Sequence, residues 1–212
     1  MPLYIVRHGE TDWNREKRFQ SRTDVPLNAR GITQAWALRD ELRRRMVRFA
    51  SARCSPLSRA VDTARIILNG TDTPLALEPA FIELSLGEFE GRREEDLREQ
   101  LGEAFSAWRA MEYTQAPPGG ESILDGAEKV RGPLLALRQA ARLGNVLIVA
   151  HQAVNMAMKV ALTGRIDTSS AAMFRQNNDE VDVWDMESGE RLERLRIPLS
   201  AAGTEGGVPL GG

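Results

Sequence analysis

The sequence predicts an α/β fold in which a mostly parallel central sheet is flanked by helices on both faces. Short apolar runs alternate with longer segments whose apolar residues recur at helical spacing, the pattern of successive βα units. The run at 145–150 is almost continuously apolar and rich in β-branched residues, which is typical of a buried parallel strand. The chain has 212 residues, 42% of them hydrophobic, so one domain can bury a substantial core.

The strands are predicted from short apolar or alternating runs that end at polar residues or turn formers. The first ends at Arg7-His8-Gly9, and the last two form a closing pair around Ser188-Gly189. Residues 79–92, rich in Glu and Gly, predict a loop, and the glycines of 201–212 predict a disordered tail. In chain order the predicted strands are 3–6, 49–54, 75–77, 145–150, 181–184 and 191–197.

The helices are predicted from apolar spacing and from their start and stop signals. Ile32, Ala35 and Leu38 share one face of the first helix, and residues 55–58, Ser-Pro-Leu-Ser, predict the start of the second. Gly132-Pro133 predicts a kink or a division of the fourth. In chain order the predicted helices are 31–45, 59–68, 93–111, 122–143 and 152–164.

Composition excludes several classes of protein. The formal charge is −2, from 28 basic and 30 acidic residues, which argues against a nucleic-acid binder that works through overall charge. No apolar run approaches the ~18 residues of a membrane span, and the first residues do not resemble a signal peptide. Cys54 is the single cysteine, so no intramolecular disulfide can form. We therefore expect a cytoplasmic protein that binds neither nucleic acid nor membrane.

Three polar side chains follow predicted strands. His8 and His151, the two histidines of the chain, each come directly after a strand, and Arg59 lies in the first turn of the helix after a third. The carboxyl ends of parallel strands meet at one edge of a sheet, where ligands bind. The sequence therefore predicts that these three groups converge at that edge.

The residue types at that edge favour a phosphate over a metal ion. No Asp or Glu lies at ligand spacing beside either histidine, and Arg7 and Arg59 would repel a divalent cation. The same two arginines offer planar forks of donors to a phosphate dianion. A neutral imidazole beside them can attack phosphorus, and a carboxyl group would supply the proton for the leaving alkoxide. No metal and no cofactor are predicted.

Five ordered blocks of sequence carry a family resemblance. They are Arg7-His8-Gly9-Glu10-Thr11 through Asn14 with Arg18-Phe19-Gln20 to Asn28 and Gly31, Ser55-Pro56-Leu57-Ser58-Arg59-Ala60 with Thr63-Ala64, Glu83 to Gly91, Pro118 to Ser122, and Val146 to His151. Together they cover roughly residues 3–165 and resemble the histidine phosphatase superfamily, the phosphoglycerate mutase-like proteins.

The resemblance implies a role for each matching position. His8 would be the phosphorylated nucleophile, and Glu83 would protonate the leaving group and then activate water, with Glu88 and Glu90 as nearby rivals. The phosphoryl oxygens would be bound by Arg7, Arg59 and His151, with a further polar contact from Asn14. The resemblance also implies one phosphatase domain over 1–200, in which a variable segment at about 85–130 forms a small helical cap over the site.

Two departures from the family pattern bear on the substrate. Gln152-Ala153 follows His151 where many members carry Gly, and Ser21-Arg22 replaces a common Gly after Arg-Phe-Gln. We predict that Ser21, Arg22 and Gln152 border the substrate pocket. In the cap segment, arginines alternate with acidic residues and predict a solvated helix face, namely at Arg92, Arg93, Arg98 and Arg109.

We expect a phosphomonoester hydrolase that acts on a small phosphorylated metabolite. The main alternative is a cofactor-dependent phosphoglycerate mutase. The resemblance covers such mutases too, but they carry a longer, basic insertion between the proton-donor glutamate and the second histidine. Here Glu83 and His151 are separated by 68 positions with mixed charges between them. A protein phosphatase and a non-catalytic phospho-ligand binding protein stay open as further alternatives, and a homodimer is one option for the assembly.

Overall fold

The computed structural model describes residues 2–165 and 173–197, so the predicted tail lies outside the described residues. The strands are β1 (Pro2–Arg7), β2 (Phe49–Cys54), β3 (Leu75–Leu77), β4 (Asn145–Ala150), β5 (Glu180–Asp185) and β6 (Arg191–Arg196). The helices are α1 (Asp12–Arg15), α2 (Ala29–Arg44), α3 (Ser58–Leu68), α4 (Glu94–Leu101), α5 (Glu103–Met111), α6 (Ile123–Ala141) and α7 (Gln152–Thr163). Two 3-10 turns, Pro79–Phe81 and Gly87–Phe89, lie in the predicted loop.

The strands form one sheet in the order β3-β2-β4-β1-β5-β6. The strands β3, β2, β4 and β1 run parallel, while β5 pairs antiparallel with both β1 and β6. This confirms the predicted α/β class and the mostly parallel sheet. It also makes β1 and β4 neighbours, with Arg7 opposite Ala150, so that His8 and His151 leave the sheet side by side.

Helices cover both faces because the side chains of a strand alternate between them. Ile5 and Ile148 belong to the core cluster beneath α6 and α7, whereas Val6 and Val149 belong to the cluster beneath α2 and α3. All four of these side chains are at most 1% exposed, and burial of each stabilises the fold by about 1.5–3 kcal/mol. The strand ends are held rigidly by these two cores.

One detail of the predicted helices was wrong, and of the two alternatives predicted at Pro133 the division is excluded. The segment expected as one helix over 93–111 is two helices, α4 and α5, because Gly102 between them adopts a φ of 51° that ends α4. Pro133 does not divide α6, which runs unbroken through it. Val130 and Leu134 are buried on either side of Pro133, and their packing offsets the cost of a proline inside a helix, about 3 kcal/mol.

The helices α4 and α5 form a small cap with its own apolar cluster. Its buried members are Phe89, Leu97, Phe105 and Trp108, and Phe19 packs against them from the loop after α1. Among the described residues, no helix is both long and apolar enough to cross a membrane. The single-domain boundary at 200 stays a prediction.

Candidate active site

His8 lies directly after β1, and its position is set by the sheet. Its backbone N–H donates to the carbonyl of Ala150 at 3.0 Å, which continues the pairing of β1 with β4. The ring nitrogen Nδ1 lies 2.7 Å from the carbonyl oxygen of Gly9. A carbonyl can only accept, so Nδ1 carries the proton and Nε2 keeps its lone pair. The side chain is buried, with 3% of the residue exposed.

The surroundings of His8 keep its ring neutral. Burial lowers the pKa of His8 well below its usual range, and the charges of Arg59 and Arg7 lower it further. The hydrogen bond to Gly9 opposes this shift. A neutral ring with a free lone pair is the form that can act as a nucleophile.

His151 lies beside His8, with the ring centroids 5.1 Å apart. The Nε–H of Arg59 donates to Nδ1 of His151 at 3.2 Å, and Nε2 lies 2.7 Å from the hydroxyl of Ser55. Because Nδ1 accepts, Nε2 carries the proton and donates to Ser55. Burial, followed by the charges of Arg59, His8 and Arg7, lowers the pKa of His151 well below its usual range.

Arg59 donates hydrogen bonds to three groups of the protein. It carries a full charge, although only 1% of the residue is exposed. Besides its bond to His151, it donates to the carbonyls of Thr23 at 2.8 Å and Ser21 at 2.9 Å. Burial lowers the pKa of Arg59, and the charge of Glu83 opposes this shift. Three of the five guanidinium N–H groups are thus used within the protein, which leaves two for an oxyanion.

Arg7 is the second cation of the site. Its Nη1 donates to the carbonyl of Gln176 at 3.1 Å, and its Nε is buried and has no partner within the described part of the chain. Burial lowers the pKa of Arg7 to about 10, and the charge of Glu83 opposes this shift. A buried N–H without a partner is costly, so a bound anion would satisfy it.

Glu83 is held at the N-terminus of α7. Its Oε1 accepts from the backbone N–H groups of Leu84 at 3.0 Å and Val154 at 2.9 Å, and Oε2 accepts from Ala153 at 3.2 Å. The first turn of a helix favours an anion, so these donors orient the carboxylate. The two rival glutamates do not line the cleft that Glu83 lines. Glu88 is exposed, and Glu90 accepts from the backbone N–H and the hydroxyl of Thr23.

These groups line a cleft of about 280 Å³. His8, Arg7, Arg59 and Glu83 lie on its wall, whereas His151 is fully buried and does not line it. The rest of the lining includes apolar side chains and charged side chains of both signs, among them Phe19, Leu86, Trp108, Ile123, Met156, Lys17, Arg18, Glu94, Arg109, Glu112, Glu121 and Arg175. Within residues 2–165 and 173–197, no group of three or more His, Cys, Asp or Glu could hold a metal ion.

The predicted substrate-binding residues divide into two sets. Asn14, Ser21 and Gln152 line the cleft. Asn14 also caps α1, where its side-chain oxygen accepts from the N–H of Thr11 at 3.2 Å. Arg22 does not line the cleft itself, but it pairs at 2.9 Å with Glu121, which does.

Ser21 adopts a φ of 48°, a region in which glycine is most at ease. Its hydroxyl donates to the carbonyl of Leu84 at 3.1 Å and accepts from the N–H of Leu86 at 3.0 Å. These two bonds tie the loop after α1 to the segment that carries Glu83. The common Gly at this place in the resembling family fits the same backbone conformation.

Sequence reasoning missed several residues of the site, among them Arg175, Gln176 and Arg109. Arg175 lines the cleft and Gln176 binds Arg7, but neither belongs to a motif or a periodic segment that could have singled it out. Arg109 was expected on a solvated helix face, and this was wrong because it lines the cleft. Its guanidinium carbon lies 5.7 Å from the ring centroids of both Phe19 and Trp108. The signal in the sequence was Trp108, a large apolar residue directly before Arg109, which could have indicated that this turn of the helix faces inward.

Comparison with known proteins places this architecture in a family. Residues 3–197 match the model of the histidine phosphatase superfamily, branch 1. The adenosylcobalamin/alpha-ribazole phosphatase of Escherichia coli strain K12 is 33% identical over 202 residues, which are 95% of this chain and 97% of that protein. A 2,3-bisphosphoglycerate-dependent phosphoglycerate mutase of Mesorhizobium japonicum is 34% identical over 169 residues, 77% of this chain and 82% of that protein.

The chain also resembles the solved structure of a phosphatase. A mycobacterial glucosyl-3-phosphoglycerate phosphatase superposes with a TM-score of 0.78 and 28% identity, covering 87% of this chain and 92% of that chain. His8, Arg7, Arg59 and Glu83 line one cleft of this same fold, and His151 is buried beside it. The chain belongs to the histidine phosphatase superfamily, branch 1.

Proposed function

We propose that this protein hydrolyses phosphomonoesters of small metabolites through a phosphohistidine formed on His8. The observation that carries the proposal is the bond between Nδ1 of His8 and the carbonyl of Gly9, 2.7 Å long, which leaves the Nε2 lone pair available. Relatives that bear the names of phosphatases for phosphorylated small molecules support the substrate class.

In the first step, Nε2 of His8 attacks the phosphorus of the ester. A P–N bond forms as the P–O bond to the alcohol breaks, and the electron pair leaves with the alkoxide. Arg7 and Arg59 bind the phosphoryl oxygens, Arg7 through its unpartnered Nε and Arg59 through its two remaining N–H groups. In phosphoryl transfer such positioned charge is the main source of catalysis.

His151 supports this step without lining the cleft. Its bond to Nε of Arg59 orients the guanidinium, and its neutral ring adds no positive charge behind His8. We therefore assign His151 to the positioning of Arg59, since both of its ring nitrogens are used within the protein.

Glu83 supplies the proton that the leaving alkoxide needs. Oε2 accepts one bond, from Ala153 at 3.2 Å, while Oε1 accepts two, so Oε2 is the oxygen with room for a proton. After the alcohol leaves, the same oxygen accepts a proton from the attacking water. The water oxygen forms a bond to phosphorus as the P–N bond breaks, which releases phosphate and restores neutral His8.

The charges on the cleft wall favour a phosphatase over a mutase. Arg109 and Arg175 of the cleft wall both pair with Glu112, Arg109 at 2.7 Å, so neither is free to bind a carboxylate of the substrate. Phosphoglycerate mutase stays the weaker alternative, since relatives with that name also match the chain. Independence of metals and a cytoplasmic location are further parts of the proposal.

The test measures phosphate release from a panel of phosphomonoesters with the wild-type protein and His8→Asn. The Asn side chain can still donate to Gly9 but cannot form the phosphoryl intermediate, so release should fall by at least about 1,000-fold. Circular dichroism checks that the variant is folded. A phosphoryl group on wild-type protein that is labile in acid and stable in alkali should appear during turnover.

Three results would contradict the proposal. Release that persists in His8→Asn would exclude the phosphohistidine. Interconversion of 2- and 3-phosphoglycerate with little release would establish a mutase. Loss of activity in a chelator, restored by a divalent metal, would refute metal independence.

A further inference from the structure

Two arginines of the cleft wall share one carboxylate. Nη1 of Arg109 donates to Oε2 of Glu112 at 2.7 Å, and Nη2 of Arg175 donates to Oε1 of the same side chain. The Glu112 side chain is 11% exposed, against 29% for Arg109 and 37% for Arg175. Both carboxylate oxygens are therefore engaged in a partly desolvated site, where charge-assisted bonds are strong.

This bridge lines the same cleft as Arg7, which is proposed to bind the phosphoryl group. Arg175 directly precedes Gln176, whose carbonyl accepts from Nη1 of Arg7 at 3.1 Å. Arg109 approaches from the cap, over Phe19 and Trp108. The carbon skeleton of a bound ester would therefore extend from Arg7 along apolar rings towards the bridge.

The bridge determines what charge that part of the cleft offers to a substrate. Without Glu112, Arg109 and Arg175 would form a pair of cations, the arrangement that recognises a carboxylate or a second phosphate. With Glu112 in place, an anionic group on the substrate must displace a carboxylate already bound to both. Glu94 reinforces this, with its Oε2 3.7 Å from Nη2 of Arg109.

We propose that Glu112 determines substrate specificity, by occupying Arg109 and Arg175 so that the cleft accepts phosphomonoesters with an uncharged body and rejects those with a second anionic group. The inference rests on the proposed function. Glu112 acts through the two arginines and not on the phosphoryl group, so it affects the choice among substrates more than the chemical step.

The test compares phenyl phosphate with 4-carboxyphenyl phosphate, two esters of similar shape and leaving group that differ by one carboxylate. Wild-type protein should prefer phenyl phosphate in kcat/KM. In Glu112→Gln the arginines are released, and the relative kcat/KM for the carboxylated ester should rise by about 10- to 100-fold, mainly through KM. Added salt should reduce this gain, since it depends on charge.

Two further variants make the test specific. Glu128→Gln removes the same charge from an exposed pair with Arg131 outside the cleft and should leave the ratio unchanged. In Arg175→Gln, Glu112 pairs with one arginine fewer. The kcat/KM for 4-carboxyphenyl phosphate relative to phenyl phosphate should therefore fall. This second direction tests the idea even if Glu112→Gln does not fold.

The outcomes separate this inference from the proposed function. If wild-type protein does not hydrolyse phenyl phosphate or any other ester, the phosphatase itself is refuted. If phenyl phosphate is hydrolysed but the ratio is the same in Glu112→Gln, or changes equally in Glu128→Gln, the role of Glu112 alone is refuted.

Discussion

The Nε–H of Arg59 donates to Nδ1 of His151 across 3.2 Å, so the second histidine orients the buried guanidinium. The two rings therefore differ in tautomer, since His8 carries its proton on Nδ1 and His151 on Nε2. The two histidines follow equivalent strand ends, but the groups around them give each ring a different hydrogen-bonding role. His8 keeps the lone pair of Nε2, and His151 accepts from an arginine through Nδ1.

The first prediction concerns Arg59. Arg59→Lys keeps the charge but cannot bind His151, Thr23 and Ser21 while still presenting two donors to a phosphoryl group. We expect kcat/KM to fall by about 100-fold or more, measured with p-nitrophenyl phosphate. Arg65→Lys, an exposed change on the same helix, is the control and should leave the rate within twofold. Equal rates in the two variants would contradict the assignment.

The second prediction concerns Glu83 as the proton donor. Glu83→Gln should slow hydrolysis of alkyl phosphates by about 100- to 10,000-fold, because an alkoxide needs a proton as it leaves. With p-nitrophenyl phosphate the loss of the first step should be much smaller, since nitrophenolate leaves without one. Rapid-mixing measurement of the nitrophenolate burst separates the two steps. Glu88→Gln, in the same loop but exposed, should not show this dependence on leaving group.

The third prediction concerns the stability of the protein in mild acid. The folded state lowers the pKa of His8 and His151, so the unfolded state binds more protons below about pH 6.5. The free energy of unfolding should therefore decrease as pH falls from 7 to 5, by up to about 1.4 kcal/mol per pH unit for each histidine. Urea denaturation at three pH values measures it.

The chain offers a clean control for this effect because it has only two histidines. In His8→Asn/His151→Asn the dependence on pH between 7 and 5 should nearly vanish. Carboxylates titrate in the unfolded state at about pH 4, below this window. A variant whose stability still falls as steeply as that of the wild type would show that other groups are responsible.

The fourth prediction uses two glycines with nearly the same positive φ. Gly87 has a φ of 52° and Gly102 a φ of 51°, a value that an alanine rarely adopts, so both substitutions are strained. At Gly87 the new Cβ would lie 2.0 Å from the carbonyl oxygen of Pro118, whereas at Gly102 nothing lies within 4 Å. Gly87→Ala should cost about 1–3 kcal/mol more than Gly102→Ala, which thermal unfolding measures as a difference of several degrees. Equal melting temperatures would refute the close contact.

The positions of His8, Arg59 and His151 could be predicted because they depend on a general property of parallel sheets. Each residue follows a strand or begins the next helix, and the carboxyl ends of such strands meet. The apolar runs that identify the strands are local features of the sequence. Their convergence therefore required no knowledge of packing, and the structure places the three side chains in contact.

Other residues depend on packing that the sequence does not reveal. Arg109 has acidic neighbours along the chain and was expected in solvent, but the aromatic cluster of Phe19 and Trp108 turns its side chain into the cleft. Arg175 and Gln176 reach the site from outside any regular element. They come shortly before β5 in the sequence, and the pairing of β5 with β1 brings them to the site.

The sheet order has a consequence for the time course of synthesis. The strand β1, which ends just before His8, leaves the ribosome before both of its neighbours in the sheet, β4 and β5, which begin at residues 145 and 180. Contacts so distant along the chain form slowly, and nascent chains fold from their N-terminus only as partners emerge. His8 therefore lacks its folded surroundings until β5 has been made. A growing chain arrested before β5 should be unable to retain a phosphoryl group.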